Sequence, residues 1–434
     1  VENGADTHTL DRFDEEVSRR QFLFGTSKAA VMVVGLGAGA EVALNGLFGR
    51  GLIPSAWGQS KSAADKPAAD TAAAAPLPAP ADKPDITVLE SHPFNGEFAA
   101  HLLDSDVTPN ERHFVRNHGT PSERAQKKDK QGWRLKVDGE VHKQLDLSME
   151  DLQRFTKVDM NVVVECAGNG RGLFDPPVRG NPWTRGAVGC AKWTGVRLKD
   201  VLSAAGVKDS AVYTAHYGED IPIAGEPFSR GIPMSKAMDP NTFIALQMNG
   251  KDIPALNGYP ARLIVPGWIG SSMQKWLNRI WIRSQVHDSK AMGAYRMPVF
   301  PVPPGEKVDD KDTEIVTAWH IKSMITRPHE GTKHKLTDVI KVRGHAWAGE
   351  DRVNSVLIST NYGMDWLRAN LREPANKYAW ATWDIDLQFP TRGYYEIWAR
   401  AFDTQNRTQP FKQPWNPKGF LSNLVHRVPI MIEA

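Results

Sequence analysis

The sequence has 434 residues, with 53 Lys+Arg against 50 Asp+Glu, 41% hydrophobic residues, 24% charged residues and 14 tryptophans. That balance describes a folded chain of two or three domains and excludes one that is mostly disordered or membrane-embedded. A net charge of +3 with no basic run interleaved with aromatics leaves no footprint for nucleic acid. The two cysteines, Cys166 and Cys190, form no CxxC pair, which excludes covalent c-type haem and four-thiolate metal centres within this chain.

In chain order, Ser18-Arg19-Arg20-Gln21-Phe22-Leu23 precedes a weakly apolar, Gly/Ala-rich stretch from Ala29 to Phe48, the arrangement of a twin-arginine export signal. Glu41, Asn45 and five glycines between Gly25 and Gly46 make this stretch a poor membrane anchor. Ala56-Trp57-Gly58 has a small-x-small cleavage pattern. We therefore expect an export signal over 1–58, delivery of a folded protein to the periplasm and no membrane span in the mature chain. Residues 59–85, rich in Ala, Pro, Lys and Asp, read as a linker, because they cannot bury enough apolar surface to order themselves.

Globular sequence begins near Ile86. Strand-like runs at Gly132–Val137 and Met160–Glu165 mix with helix-like pieces at Ser148–Phe155 and Leu198–Ala205. They do not alternate regularly, which favours an α+β domain over a doubly wound sheet. After Pro301-Val302-Pro303-Pro304-Gly305 the pattern becomes a series of strand candidates: Thr317–Thr326, Val339–Trp347, Asn354–Thr360, Tyr378–Leu387, Tyr394–Phe402 and Asn423–Ile432. That spacing predicts an all-β sandwich, and the boundary falls near residue 310, giving domains over 86–310 and 311–434.

The run Met160-Asn161-Val162-Val163-Val164-Glu165 delivers Cys166 into the turn Ala167-Gly168-Asn169-Gly170-Arg171, where glycines let the backbone approach a ligand. A cysteine at a strand end beside arginine is suited to be a thiolate, although a buried apolar thiol is the commoner role for the residue. Cys190 reads as such a buried free thiol; a disulfide between the two is the alternative. The thirteen histidines form no HExxH motif, and the glycine-rich stretches carry no P-loop lysine.

Cys166-Ala167-Gly168-Asn169-Gly170-Arg171 resembles the cysteine motif of the sulfite oxidase family of molybdopterin enzymes. The resemblance runs through most of the chain after the linker. It includes Phe114-Val115-Arg116-Asn117-His118, Trp183-Thr184-Arg185-Gly186, Gly258-Tyr259-Pro260-Ala261-Arg262, Lys275-Trp276-Leu277 and Trp415-Asn416-Pro417-Lys418-Gly419, in the family's order. It implies a sulfite oxidase-type molybdopterin-binding domain followed by an immunoglobulin-like dimerisation domain, with one molybdenum-molybdopterin per chain. Cys166 would be the metal ligand, consistent with the softness of a thiolate. Phe114, Arg116, Asn117, His118, Asp220 (or Glu219), Asn257, Arg262, Gln274 and Lys275 would hold the cofactor. Arg116, Arg171, Tyr295, Lys418 and Trp183 would form the substrate site, with Tyr259 and Tyr217 as alternatives to Tyr295. Three positions depart from the pattern: Lys418 stands where an arginine is frequent, Gly170 where some members have arginine, and Asn257 where some have histidine.

The implied activity is oxidation of sulfite to sulfate in a homodimer. Electrons would pass singly to an external, soluble c-type cytochrome, because no haem site lies in this chain. The loss of arginine's bidentate fork at Lys418 keeps open a second member of the family, the molybdenum subunit of a sulfane dehydrogenase acting on carrier-bound sulfur. A related reductase of methionine sulfoxides ordinarily lacks the sandwich. A non-enzymatic alternative is an exported β-sandwich binding protein, which would carry no metal.

Overall fold

The computed structural model describes residues 79–434; the export signal expected over 1–58 and most of the linker lie outside the described residues. The end of the stretch read as linker is part of the folded body. Lys83 is completely buried, and its ammonium donates to the carbonyls of Asn110 (2.6 Å) and His113 (2.9 Å), which an alanine- and proline-rich composition gives no reason to expect.

Strands dominate, and the helical share is smaller than the α+β reading suggests. Ser148 and Asp151 close a reciprocal capping box, but the helix Met149–Gln153 buries Leu152 alone, too little apolar stripe to extend it. Leu198–Ala205 forms where its pattern predicts. Leu198, Val201, Leu202 and Ala205 face the core at helical spacing, and Gly206 ends the helix in the left-handed region at φ 64°.

Two sheets build the body preceding residue 300. One has the strand order Ser229–Pro233, Tyr213–Gly218, Leu277–Arg283, Leu135–Gly139 and Leu145–Leu147, with a parallel pairing between Leu277–Arg283 and Leu135–Gly139. The other runs Lys251–Asp252, Phe243–Met248, Val188–Arg197 and Lys157–Glu165, and Arg262–Ile264 also pairs with Phe243–Met248. Trp133, Leu135, Trp193, Leu202, Ile244 and Ile280 lie in the core that these sheets share. The last four residues of Lys157–Glu165 are buried, so this strand enters the core as it approaches Cys166.

The chain after residue 320 forms two further sheets. Lys322–Arg327, Ile340–Trp347, Ala381–Leu387 and Asn370–Leu371 make one; Lys333–Lys335, His426–Glu433, Gly393–Asp403, Val353–Ser359 and Leu367–Arg368 make the other. Ile325, Val342 and Trp383 of the first pack against Val356, Ile397 and Ile430 of the second, which makes a sandwich. Each long strand coincides with a predicted run to within five residues at either end.

The sandwich is fused to the body. Phe98, Leu103, Val163, Val188 and Cys190 share a core with Met324, Trp347 and Trp380, and the Val163 N–H donates to the Tyr378 carbonyl (2.9 Å). Cys190 is a free thiol inside this shared core, and burial pushes it up to about 12. Glu165, the last residue of the cysteine strand, is fully buried. Its carboxylate accepts from Lys322 Nζ (2.6 Å), Trp347 Nε1 (2.7 Å) and Asn169 Nδ2 (2.8 Å). Burial pulls Lys322 below the ordinary lysine range, opposed by the charge and hydrogen bond of Glu165.

Removing one partner of a buried ion pair strands the other, at a cost of about 3–5 kcal/mol. Lys322→Met should therefore lower the unfolding midpoint strongly, whereas Lys322→Met with Glu165→Gln should regain most of the loss. A single variant as stable as the double one in thermal scans would contradict this assignment. A second expectation concerns acid. Burial pushes His113 and His216 down to about 3 and His345 to about 4, all below the 6.5 of an unfolded histidine. Over that window the unfolded chain binds more protons, so the stability present above pH 6.5 is lost as pH falls towards 4. Thermal midpoints recorded across pH 4–7 should fall accordingly, and His345→Gln should flatten the decline; an unchanged slope would mean that His345 does not contribute.

Candidate active site

Cys166 leaves the end of its strand with its N–H bonded to the Ala187 carbonyl (2.9 Å), while its own carbonyl accepts from the Asn169 N–H (2.8 Å). Asn169 locks the turn from inside. Its amide donates to Glu165 and to the Arg185 carbonyl (3.2 Å), and its oxygen accepts from the Ala187 N–H (3.1 Å). Gly170 adopts φ 90°, and a Cβ there would lie 2.7 Å from Ser422, so glycine meets both a backbone and a space requirement.

Cys166 faces a cavity that also meets Phe114, Arg116, His118, Asp220, Asn257, Arg262, Gln274, Lys275 and Tyr295. Asn117 stands behind this lining, buried, with its side-chain oxygen accepting from Lys275 Nζ. Residues from Phe114 to Tyr295 thus converge on one cavity. The lining also contains His113, Phe228, Ser271, Met273 and Trp276. Of these, His113 was within reach of the sequence, since it immediately precedes Phe114; Phe228 and Met273 carry no local signal.

The electrostatics of the cavity are one-sided. Burial pulls Arg262 down to about 9, and it pulls Lys275 well below the usual lysine range, helped by Arg262 and opposed by Asp220. His118 opens onto the cavity, where desolvation of its ring and the charges of Arg116, Lys275 and Arg230 depress it well below an ordinary histidine. Asp220, raised by burial and lowered by Lys275, is the one carboxylate in the lining among the described residues. Cations held close together without matching anions are stabilised by a bound anion.

Several buried polar atoms around the same space have no partner among the described residues: His113 Nε2, Asn117 Nδ2, Asp220 Oδ1, Asn257 Oδ1, Arg262 Nε, Ser272 Oγ and Gln274 Oε1. Buried polar groups are ordinarily satisfied, so a ring of orphaned donors and acceptors marks a site built for a polar molecule. A pterin bearing a phosphate, with hydrogen-bonding edges and a negative terminus, fits this set.

At the Cys166 end, Tyr295 OH hydrogen-bonds His118 Nε2 (2.8 Å), and the His118 Nδ1 side meets Arg116 (3.2 Å). The His118 ring stacks on Phe228 at 4.3 Å. Burial raises the Tyr295 phenol, partly offset by Arg116, Arg230 and Arg171, so it stays protonated. Arg230 has its guanidinium 4.9 Å from the Tyr295 ring and donates to Ser271 Oγ (2.8 Å); it comes from a strand with no motif to announce it.

Besides Asn117, three expected site residues do not line the cavity. Arg171 donates to the carbonyls of Lys418 (3.0 Å) and Asn181 (3.2 Å); burial lowers it, while the charges of Cys166 and Tyr295 oppose that and Arg116 reinforces it. Trp183 is fully buried with its indole N–H unpartnered. Lys418 is exposed, and its backbone carbonyl, not its ammonium, contacts Arg171.

Among the described residues no helix is long and apolar enough to cross a membrane, and no group of three or more His, Cys, Asp or Glu could by itself hold a metal ion. The family model for the oxidoreductase molybdopterin-binding domain matches residues 120–291, and that for the Mo-co oxidoreductase dimerisation domain matches 313–433. The chain is 33% identical over 370 residues to the mitochondrial sulfite oxidase of Rattus norvegicus, covering 81% of this chain and 67% of that protein. It is 32% identical over 365 residues to the sulfite oxidase of Gallus gallus, covering 80% and 78%. The crystal structure of the sulfane dehydrogenase SoxCD from Paracoccus pantotrophus matches with a TM-score of 0.65 and 26% identity, over 77% of this chain and 83% of that one. With a thiol at a strand end, a cationic cavity of orphaned polar atoms and these relatives, the chain belongs to the sulfite oxidase family of molybdopterin oxidoreductases.

Proposed function

We propose that this protein oxidises sulfite to sulfate and passes the electrons singly to an external c-type cytochrome. The observation that carries the reading is the cavity in which Cys166, Arg116 and the His118–Tyr295 pair meet beside a cationic, unsatisfied pterin pocket. Cys166 would hold the molybdenum; Arg262, Lys275, His113, Asn117, Asn257 and Gln274 would hold the pterin and its phosphate. The bound group supplies the two-electron oxidation.

The protein's own part follows from charge and geometry. Sulfite is a small anion; Arg116 offsets the loss of its hydration and orients it, and the nearby charge of Arg171 adds to the attraction. His118 is neutral, so it accepts from or donates to Tyr295 without adding charge, and the pair can hold a proton at the phenol oxygen. The division into a catalytic domain over 86–310 and an immunoglobulin-like sandwich over 311–434, homodimerisation through the latter, and twin-arginine export to the periplasm belong to the same proposal. The similarity to a sulfane dehydrogenase favours one second reading, a carrier-bound sulfur substrate, and the exposed Lys418 leaves room for it.

Assay of the purified, molybdenum-loaded protein with sulfite and ferricyanide separates the two. Turnover supports the sulfite reading; none at full molybdenum occupancy, with turnover of a protein-bound sulfane, replaces it by the second. Cys166→Ser should keep the fold and the pterin but reduce turnover to background. Arg116→Met should raise the sulfite KM roughly 10- to 100-fold, the loss of one charge-assisted hydrogen bond. A wild-type KM in that variant would remove Arg116 from the substrate site.

A further inference from the structure

One side chain of the sandwich touches two candidate site residues at once. The Phe420 ring lies parallel to that of Tyr295, with centroids 5.2 Å apart and planes 2° from coplanar, and the Arg171 guanidinium sits 5.4 Å from its centroid. Phe420 is buried in an apolar cluster with Ala167, Ile269, Tyr295, Val316 and Trp319, and it does not itself line the cavity.

The loop that carries it is anchored for this purpose. The Asn416 side chain accepts from the Phe420 N–H and donates to the Phe420 carbonyl, both at 3.1 Å. The Leu421 N–H donates to the carbonyl of Ala167 (2.9 Å), the residue following Cys166. Gly419 adopts φ 59°, and a Cβ there would come within 2.7 Å of Arg171 Cγ. Leu421 holds φ 54°, a left-handed conformation that disfavours a leucine and persists where the surroundings over-determine it.

Arg171 needs such a device. Its hydrogen bonds run to two neutral carbonyls, and no carboxylate in the described residues pairs with it, so the aromatic face of Phe420 is the side-chain surface that adds to these bonds in holding its fork. We propose that Phe420 is a positioning residue: a wedge from the sandwich that sets Arg171 and Tyr295 relative to each other and thereby sets the affinity of the site for a small sulfur oxyanion. This rests on the reading of the cavity as an oxyanion site and extends it by naming what tunes it.

The test uses the loaded holoenzyme, with calorimetric binding of sulfate, an unreactive oxyanion, beside sulfite kinetics. Phe420→Ala should raise the sulfate Kd and the sulfite KM together by about tenfold, with kcat changed by less than about threefold. Phe420→Trp, which restores an aromatic face, should return both to within about threefold of wild type. Phe420→Leu keeps apolar bulk without that face; it should show the same weakening and carries the test if the alanine variant does not fold. If the wedge acts through Arg171, adding Phe420→Ala to Arg171→Ala should weaken sulfate binding no further. A wild-type Kd and KM in the leucine variant, or full additivity with Arg171→Ala, overturns the proposal. If the wild type binds sulfate but does not oxidise sulfite, and the variants still weaken binding, the assigned reaction fails while the wedge stands. A wild type that neither binds sulfate nor oxidises sulfite overturns both.

Discussion

The carboxylate of Glu165 is the constraint on which the rest of the site depends. It lies one residue before Cys166, has no access to water, and takes hydrogen bonds from the cysteine turn through Asn169 and from the sandwich through Lys322 and Trp347. A buried charge tolerates little displacement, because any partner that moves away leaves it unsatisfied. The strand end, the turn and the first strand of the sandwich are therefore fixed as one object, and the thiol inherits that rigidity. Arg185 adds a second tie, donating to the Leu424 and Val425 carbonyls (3.2 and 3.3 Å).

Charge in the cavity follows the opposite principle. Lys275, Arg262 and Arg116 repel one another, Lys83 adds to the field, and among the described residues of the lining Asp220 supplies the opposing carboxylate. Such an arrangement is unfavourable in the empty protein and becomes favourable when an anion enters, so the pocket trades stability for affinity. The rigid frame around Glu165 allows this, since a looser scaffold would let the cations swing apart into water.

Much of this was legible in the sequence, and the part that was not has a common cause. The strand into Cys166, the helix Leu198–Ala205 and the long strands of the sandwich follow from period and burial, which are local properties. Arg116, His118, Arg262 and Lys275 were found through short ordered segments, and the fold brings them to one cavity. Glu165, Lys322, Arg230 and Phe420 escaped notice because their significance lies in partners up to about 250 residues away, and neither composition nor spacing encodes a partner. Lys83 escaped for a different reason: one buried lysine is invisible within a stretch whose average composition is that of a tether. Trp183 and Lys418 are the converse, segments that match the family's order while their side chains point into the core and into water.

The hydrogen bond from Leu421 to the carbonyl of Ala167 also has a consequence in time. A chain emerges from the ribosome N-terminus first, so the strand bearing Cys166 leaves the ribosome about 250 residues before the segment that closes its turn; at ~5–20 residues per second this is an interval of about 10 to 50 s. For about the first 160 of those residues Glu165 lacks Lys322, for about 180 it lacks Trp347, and the Ala167 carbonyl waits for Leu421 to the end of the interval. The finished site thus depends on a late segment of the chain, and a cofactor that needs the closed cysteine turn must wait until the stretch around Leu421 has emerged.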